Sequence, residues 1–97
     1  MKKNYFFILI SLFVFNFLTT NGNTKYIVRP HNQAIIHNNM GAQFMAQQDL
    51  DKAIFEFKTA IEISPEYVEA WNNLGLAYKY KKDYNKAVDT FKQAIKI

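Results

Sequence analysis

Residues 71–97, WNNLGLAYKYKKDYNKAVDTFKQAIKI, restate residues 37–63, HNNMGAQFMAQQDLDKAIFEFKTAIEI, at an offset of 34. Eleven of the 27 aligned pairs are identical: Asn38/Asn72, Asn39/Asn73, Gly41/Gly75, Asp49/Asp83, Lys52/Lys86, Ala53/Ala87, Phe57/Phe91, Lys58/Lys92, Ala60/Ala94, Ile61/Ile95 and Ile63/Ile97. Met40/Leu74, Phe44/Tyr78 and Ile54/Val88 are conservative. Identity on this scale at one offset indicates duplication of a single structural unit. A fixed period of roughly 20–50 residues is the mark of a solenoid.

Each unit reads as two helices. Trp71, Leu74 and Tyr78 fall at i, i+3 and i+7, with Gly75 at i+4 on the same side. After a break at Lys82-Asp83, Ala87, Phe91, Ala94 and Ile95 fall at i, i+4, i+7 and i+8. Both are helical stripes; neither alternates as a strand does. Gly41 and Gly75 would each cost about 1 kcal/mol inside a helix. That cost is tolerable where a neighbouring helix must come close, and Ala53, Ala60, Ala87 and Ala94 fit the same explanation. Asp49 and Asp83 are placed to cap the second helix of each pair. Ser64-Pro65 ends the first unit, with Pro65 expected in the opening turn of the next helix. Lys79, Lys81 and Lys82 gather at a helix C-terminus, where the macrodipole favours cations.

WNNLGLAY (Trp71 to Tyr78), followed by Ala87, Phe91 and Ala94, resembles the tetratricopeptide repeat pattern, and the 34-residue period agrees. The first unit matches through Met40, Gly41, Phe44, Ala53, Phe57, Ala60 and Pro65. It departs at His37, where the family has Trp, and the second unit lacks the closing Pro. The resemblance covers residues 34–97. It implies an all-α fold of two helix-turn-helix hairpins, an α-solenoid fragment, with repeat 1 at 34–67 and repeat 2 at 68–97.

The resemblance also implies a binding surface. In this family one face of each first helix lines a concave groove that receives extended peptides. Rotating residues at about 100° per position puts Glu69, Asn72, Asn73, Leu76, Lys79 and Tyr80 on that face of repeat 2. Ile35, Asn38, Asn39, Ala42, Met45 and Ala46 are the equivalents in repeat 1. The groove residues expected are therefore Asn38, Asn39, Ala42, Met45, Glu69, Asn72, Asn73, Leu76, Lys79 and Tyr80. An asparagine amide both donates and accepts, so Asn39 and Asn73, recurring at the repeat spacing, suit a ladder against a peptide backbone. Their simpler explanation is that asparagine tolerates an exposed face and the duplication copied it. Some family members clamp a terminal carboxylate with cations on this face. Repeat 1 has none there, so such a clamp is not expected.

Upstream, Met-Lys-Lys-Asn leads into YFFILISLFVFNFL (Tyr5 to Leu18), broken only by Ser11 and Asn16, and then a polar stretch from Thr19 to Lys25. This is the order of a secretory signal peptide. Fourteen residues at about 1.5 Å each reach roughly 21 Å, short of a hydrocarbon core about 30 Å thick. Residues 1–22 are read as the signal, with Thr20 and Gly22 as the small residues before a new start at Asn23. The alternative is an uncleaved anchor contacting the membrane through residues 5–20. Residues 23–33 (NTKYIVRPHNQ) read as a linker in which Pro30 biases Arg29 away from helix.

Composition narrows the function. The 97 residues hold no Cys, which excludes disulfides, thiolate metal sites and a Cys nucleophile. His31 and His37 lack a helical ligand spacing, so no metal is expected. Asp49 and Asp51 lie at a predicted helix start, where capping explains them. Neither a glycine-rich phosphate loop nor a nucleophile elbow occurs. Without residues 1–22 the chain carries 10 basic and 8 acidic residues, a net +2 that argues against nucleic acid. No cofactor is expected. The reading is an exported, non-catalytic module that presents its groove to a protein or peptide. The alternative is a membrane-anchored scaffold whose repeats oligomerise.

Two repeats are few for a solenoid, in which each unit is covered by the next. The last helix is expected to leave Phe91 and Ile95 uncovered, a surface either for a homo-oligomer or for the next repeat of a longer array of which this chain is a piece. Repeat 1 holds two lysines and five acids, and repeat 2 six lysines and three acids, so the units carry −3 and +3. Those signs favour head-to-tail association.

Overall fold

The computed structural model describes residues 29–97. They form four helices: α1 Asn32–Ala46, α2 Leu50–Ile63, α3 Val68–Tyr80 and α4 Tyr84–Lys96. α1 packs on α2 and α3 on α4, and α2 and α3 join the two hairpins. This is the all-α pair of hairpins that the periodicity predicts, and no strand occurs among the described residues. The signal segment 1–22 and most of the linker, including Tyr26-Ile27-Val28, lie outside the described residues. Among the described residues no helix is long and apolar enough to cross a membrane.

The turn inside each hairpin is built twice in the same way. Gln48 and Lys82, the residues before the capping aspartates, have left-handed backbones (φ 63° and 67°). In the first turn the Gln48 N–H donates to the Met45 carbonyl and the Asp49 N–H to the Phe44 carbonyl. In the second, Lys82 donates to Lys79 and Asp83 to Tyr78. This is a Schellman stop, which satisfies carbonyls that a helix end leaves free. The aspartate that closes it then caps the next helix. Its side chain accepts from the N–H of Lys52 at 3.3 Å in the first turn and of Lys86 at 3.4 Å in the second. One residue thus ends one helix and starts another, which leaves no slack in the hairpin. The same lysines pair with these carboxylates at 3.1 and 3.3 Å. Each also sits over the ring at the end of the preceding helix, Lys52 over Phe44 and Lys86 over Tyr78.

The glycines mark where the helices of a hairpin touch. A Cβ on Gly41 would lie 2.6 Å from Phe57 Cε1, and a Cβ on Gly75 would lie 2.6 Å from Phe91 Cε1. Both distances are below any stable carbon contact, so the ring of the second helix rests directly on the backbone of the first. Ala53, Phe57, Ala60, Ala70 and Ala77 are fully enclosed around this contact, with Leu74, Tyr78 and Ala87 nearly so and Trp71 and Phe91 packed at the edge.

Two sequence expectations need correction. Pro65 does not open α3. It lies in a turn closed by the Tyr67 N–H on the Ser64 carbonyl at 3.0 Å, and the helix begins at Val68. The second position of such a turn suits the fixed φ of proline, and the Pro65 carbonyl is then free to accept from Trp71 Nε1 at 2.8 Å. The helical unit also starts earlier than residue 34. His31 caps α1, its Nδ1 accepting from the Gln33 N–H at 3.3 Å, while its own N–H donates to the buried Ser64 Oγ at 2.9 Å. The last two residues of the expected linker, Asn32 and Gln33, are therefore helical.

Candidate peptide-binding groove

α1 and α3 run side by side and carry the ten residues expected to line a groove. Asn39, Ala42, Glu69, Asn72, Lys79 and Tyr80 are exposed, and Met45, Asn73 and Leu76 are half-buried. Ala42 and Met45 of α1 and Tyr80 of α3 meet Ala46, Gln48 and Leu50 around a half-open cleft of about 620 Å³. The cleft spans both repeats, and its wall mixes apolar side chains with polar surface in comparable measure, the Gln48 amide among the latter. Tyr80 is 61% exposed, so its ring stands free as a wall. Gln48 and Leu50 are absent from the helical projection because Gln48 belongs to the turn after α1 and Leu50 opens α2, which a projection of α1 cannot include.

Asn38 is a correction. It shares the α1 face with Asn39 by projection, yet its side chain is 1% exposed. Its Nδ2 donates to the Tyr67 hydroxyl at 3.2 Å and to Glu69 Oε1 at 3.3 Å, and its Oδ1 accepts from Asn73 Nδ2 at 2.9 Å. A carboxylate can only accept, so Glu69 fixes which way the amide faces. Asn38 is thereby a polar bolt between the repeats, closed to a ligand. Its position turns inward because α3 lies against it. Burial raises the Tyr67 phenol above its ordinary value of 10.0, the Glu69 charge adds to the rise, and the Asn38 bond opposes it. The phenol stays neutral at physiological pH and keeps its place in the knot. Asn73, taken up by Asn38, does not stand in the same state as the exposed Asn39, so the two do not form an equivalent ladder.

His37 stands where repeat 2 has Trp71, and its Nδ1 lies 2.6 Å from Oε2 of the buried Glu56. The matching residue to Glu56 in repeat 2 is Thr90, whose hydroxyl instead donates to the Lys86 carbonyl at 2.7 Å. The two repeats thus differ at this position: His37 bonds across to Glu56, whereas Trp71 bonds to the Pro65 carbonyl and Thr90 to its own helix. Below the cleft, Lys81 at the end of α3 bonds to Asp51 at the start of α2, which holds the Lys81 amine above its usual range. This pair straps the two hairpins together beside the cleft.

The tetratricopeptide repeat models match this chain over residues 41–81 and again over 68–97. The chain carries tetratricopeptide repeats. Together the two matches span all four helices except the first part of α1. Among solved structures, the crystal structure of MamA is similar, with 32% identity and a TM-score of 0.63 over 65% of this chain. The match takes in 37% of the MamA chain, so this chain corresponds to a minor part of that protein's length. No curated protein matches the chain at a comparable level. The repeats make it a protein-interaction module.

Proposed function

We propose that the repeats are an exported, non-catalytic docking module whose cleft takes an apolar side chain of an extended partner segment. The cleft between the two repeats carries this reading. Ala42, Met45, Leu50 and Tyr80 give it apolar walls beside the Gln48 amide, and the exposed Asn39, Asn72 and Lys79 of the same two helices offer amides and a cation to a peptide backbone. Export rests on the basic, apolar and polar order of residues 1–25. Retention of residues 5–20 would make the same module a membrane-tethered scaffold. The mature N-terminus separates them: a start near Asn23 supports export, and an intact Lys2 supports the tether.

The groove is tested with peptides selected on the full chain from a random display library. Ala42→Arg fills the cleft from an exposed position and is expected to weaken selected peptides at least tenfold. Met45→Ala should weaken them less. Peptides that bind Ala42→Arg as tightly as the parent chain would place the binding surface elsewhere.

A further inference from the structure

The two hairpins are copies, yet equivalent positions differ in burial, and the differences fall on two faces. On the outer face of repeat 2, Ile95 is 83% exposed where its equivalent Ile61 is 9%, and Val88 is 50% exposed where Ile54 is 9%. On the outer face of repeat 1, Ile36 is 49% exposed where Ala70 is 0%, and Met40 is 37% exposed where Leu74 is 4%. One set is the surface that α3 covers within the chain. The other is the surface that α3 uses to cover it.

We propose that a second copy of this chain stacks head to tail on the first, its α1 covering α3 and α4 in the register by which α3 covers α1 and α2. Three observations select a second copy in this orientation. First, the amide pair of the polar bolt has its counterparts on the two end faces, while Tyr67 and Glu69 correspond to Gln33 and Ile35. Asn72 is the exposed equivalent of the buried Asn38, and Asn39 is the exposed equivalent of Asn73, so the amide pair seen at 2.9 Å within the chain can form again between chains. Second, α1 contains no Lys, Arg, Asp or Glu, so it brings no charge to be buried against the apolar residues of α4. The strap between Lys81 and Asp51 is replaced at the new junction by Gln47 and Asn85, again without charge. Third, repeat 2 carries +3 and repeat 1 carries −3, so a head-to-tail order sets unlike repeats side by side. A two-fold pair through α4 would oppose two +3 repeats.

The fit is a variation on the internal junction. Ile36 is larger than Ala70, while Val88 and Thr90 are smaller than Ile54 and Glu56, so volume moves from one wall to the other. The contact does not close on itself, so it extends into rows whose length grows with concentration. This inference uses the end faces; it shares Asn39 and Asn72 with the rim of the groove between α1 and α3, but not the residues that line the cleft itself.

Sedimentation of the full chain from low micromolar to several hundred micromolar tests it. The mean mass is expected to climb without a plateau at the dimer. Ile95→Asp and Ile36→Asp alter exposed positions on opposite faces, and each alone is expected to abolish the climb. Their equimolar mixture should stop at a heterodimer, because each variant keeps the face the other has lost. Since the chain has no Cys, single-thiol variants provide a second reading that holds even if the aspartates disturb folding. A short dithiol-reactive linker should join Asn72→Cys to Asn39→Cys and should not join Asn72→Cys to itself. A monomer at every concentration overturns the proposal and leaves a different protein as the occupant. Association that survives Ile36→Asp, or self-coupling of Asn72→Cys, overturns it in favour of a two-fold pair.

Discussion

Repeat 1 and repeat 2 share a template but live in different surroundings. Phe57 is fully enclosed, because α3 closes over the hairpin that holds it, while its equivalent Phe91 is half-buried. The hairpin turns, by contrast, agree to within a few degrees and tenths of an ångström. The comparison separates two kinds of feature. Those made inside a hairpin are duplicated faithfully. Those made between hairpins depend on which neighbour is present.

The strongest way to break this comparison is to remove the matched rings. Phe57→Ala is expected to cost about 3–5 kcal/mol, the usual range for an enclosed phenylalanine, and Phe91→Ala about half as much because its site is already partly wet. Urea denaturation followed by circular dichroism reads both. Equal losses would mean that repeat 2 is as well covered as repeat 1.

The glycines under those rings give a finer contrast. A methyl on either would need its ring to move. Phe57 has nowhere to go, so Gly41→Ala should destabilise by about 1–3 kcal/mol through overpacking. Phe91 can swing outward. Gly75→Ala should therefore be close to neutral, the strain being offset by a helix-propensity gain of about 1 kcal/mol. The same denaturation curves decide it.

The asparagines come next. Asn38→Ala strips Tyr67, Glu69 and Asn73 of a shared partner and should cost about 1–3 kcal/mol, the penalty for leaving buried polar groups unpaired. In dilute solution Asn72→Ala should fall within about 0.5 kcal/mol of the parent, as exposed substitutions usually do. An equal cost at both positions would show that Asn72 is already engaged in the isolated chain.

The smallest effect should be the same in both halves. Gln48 and Lys82 hold left-handed backbones without being glycine, a conformation that costs a side-chain-bearing residue roughly 1–2 kcal/mol. Lys82→Gly is expected to raise stability by somewhat under 1 kcal/mol, because glycine also loses more freedom on folding. Gln48→Gly should match it, and thermal melts suffice to compare them. A clear difference would mean that the turns are not the independent, duplicated units they look to be.

Much of this was legible from the residues. The 34-residue offset, the helical stripes, the capping aspartates and the close approach at Gly41 and Gly75 all follow from local spacing and side-chain size. The cleft was legible in part, since Ala42, Met45 and Tyr80 share the face expected to line it. Gln48 and Leu50 were not, because they reach the cleft from the turn after α1 and from the first residue of α2. Asn38 and Pro65 show where local reading stops. A helical projection puts Asn38 beside Asn39, and Pro65 near the start of a helix suits an opening turn. Only the distance between α1 and α3, and the bond from Trp71 to the Pro65 carbonyl, assign them elsewhere.

By itself the sequence determined the unit: two helices, their stops and starts, and the ring that rests on bare backbone between them. Those properties depend on residues within about 34 positions of one another, and duplication copied them intact. The tertiary structure decided which copy of each residue is buried. Burial belongs to pairs of surfaces, and the same asparagine or isoleucine is a bolt or a free group according to whether another helix lies across it.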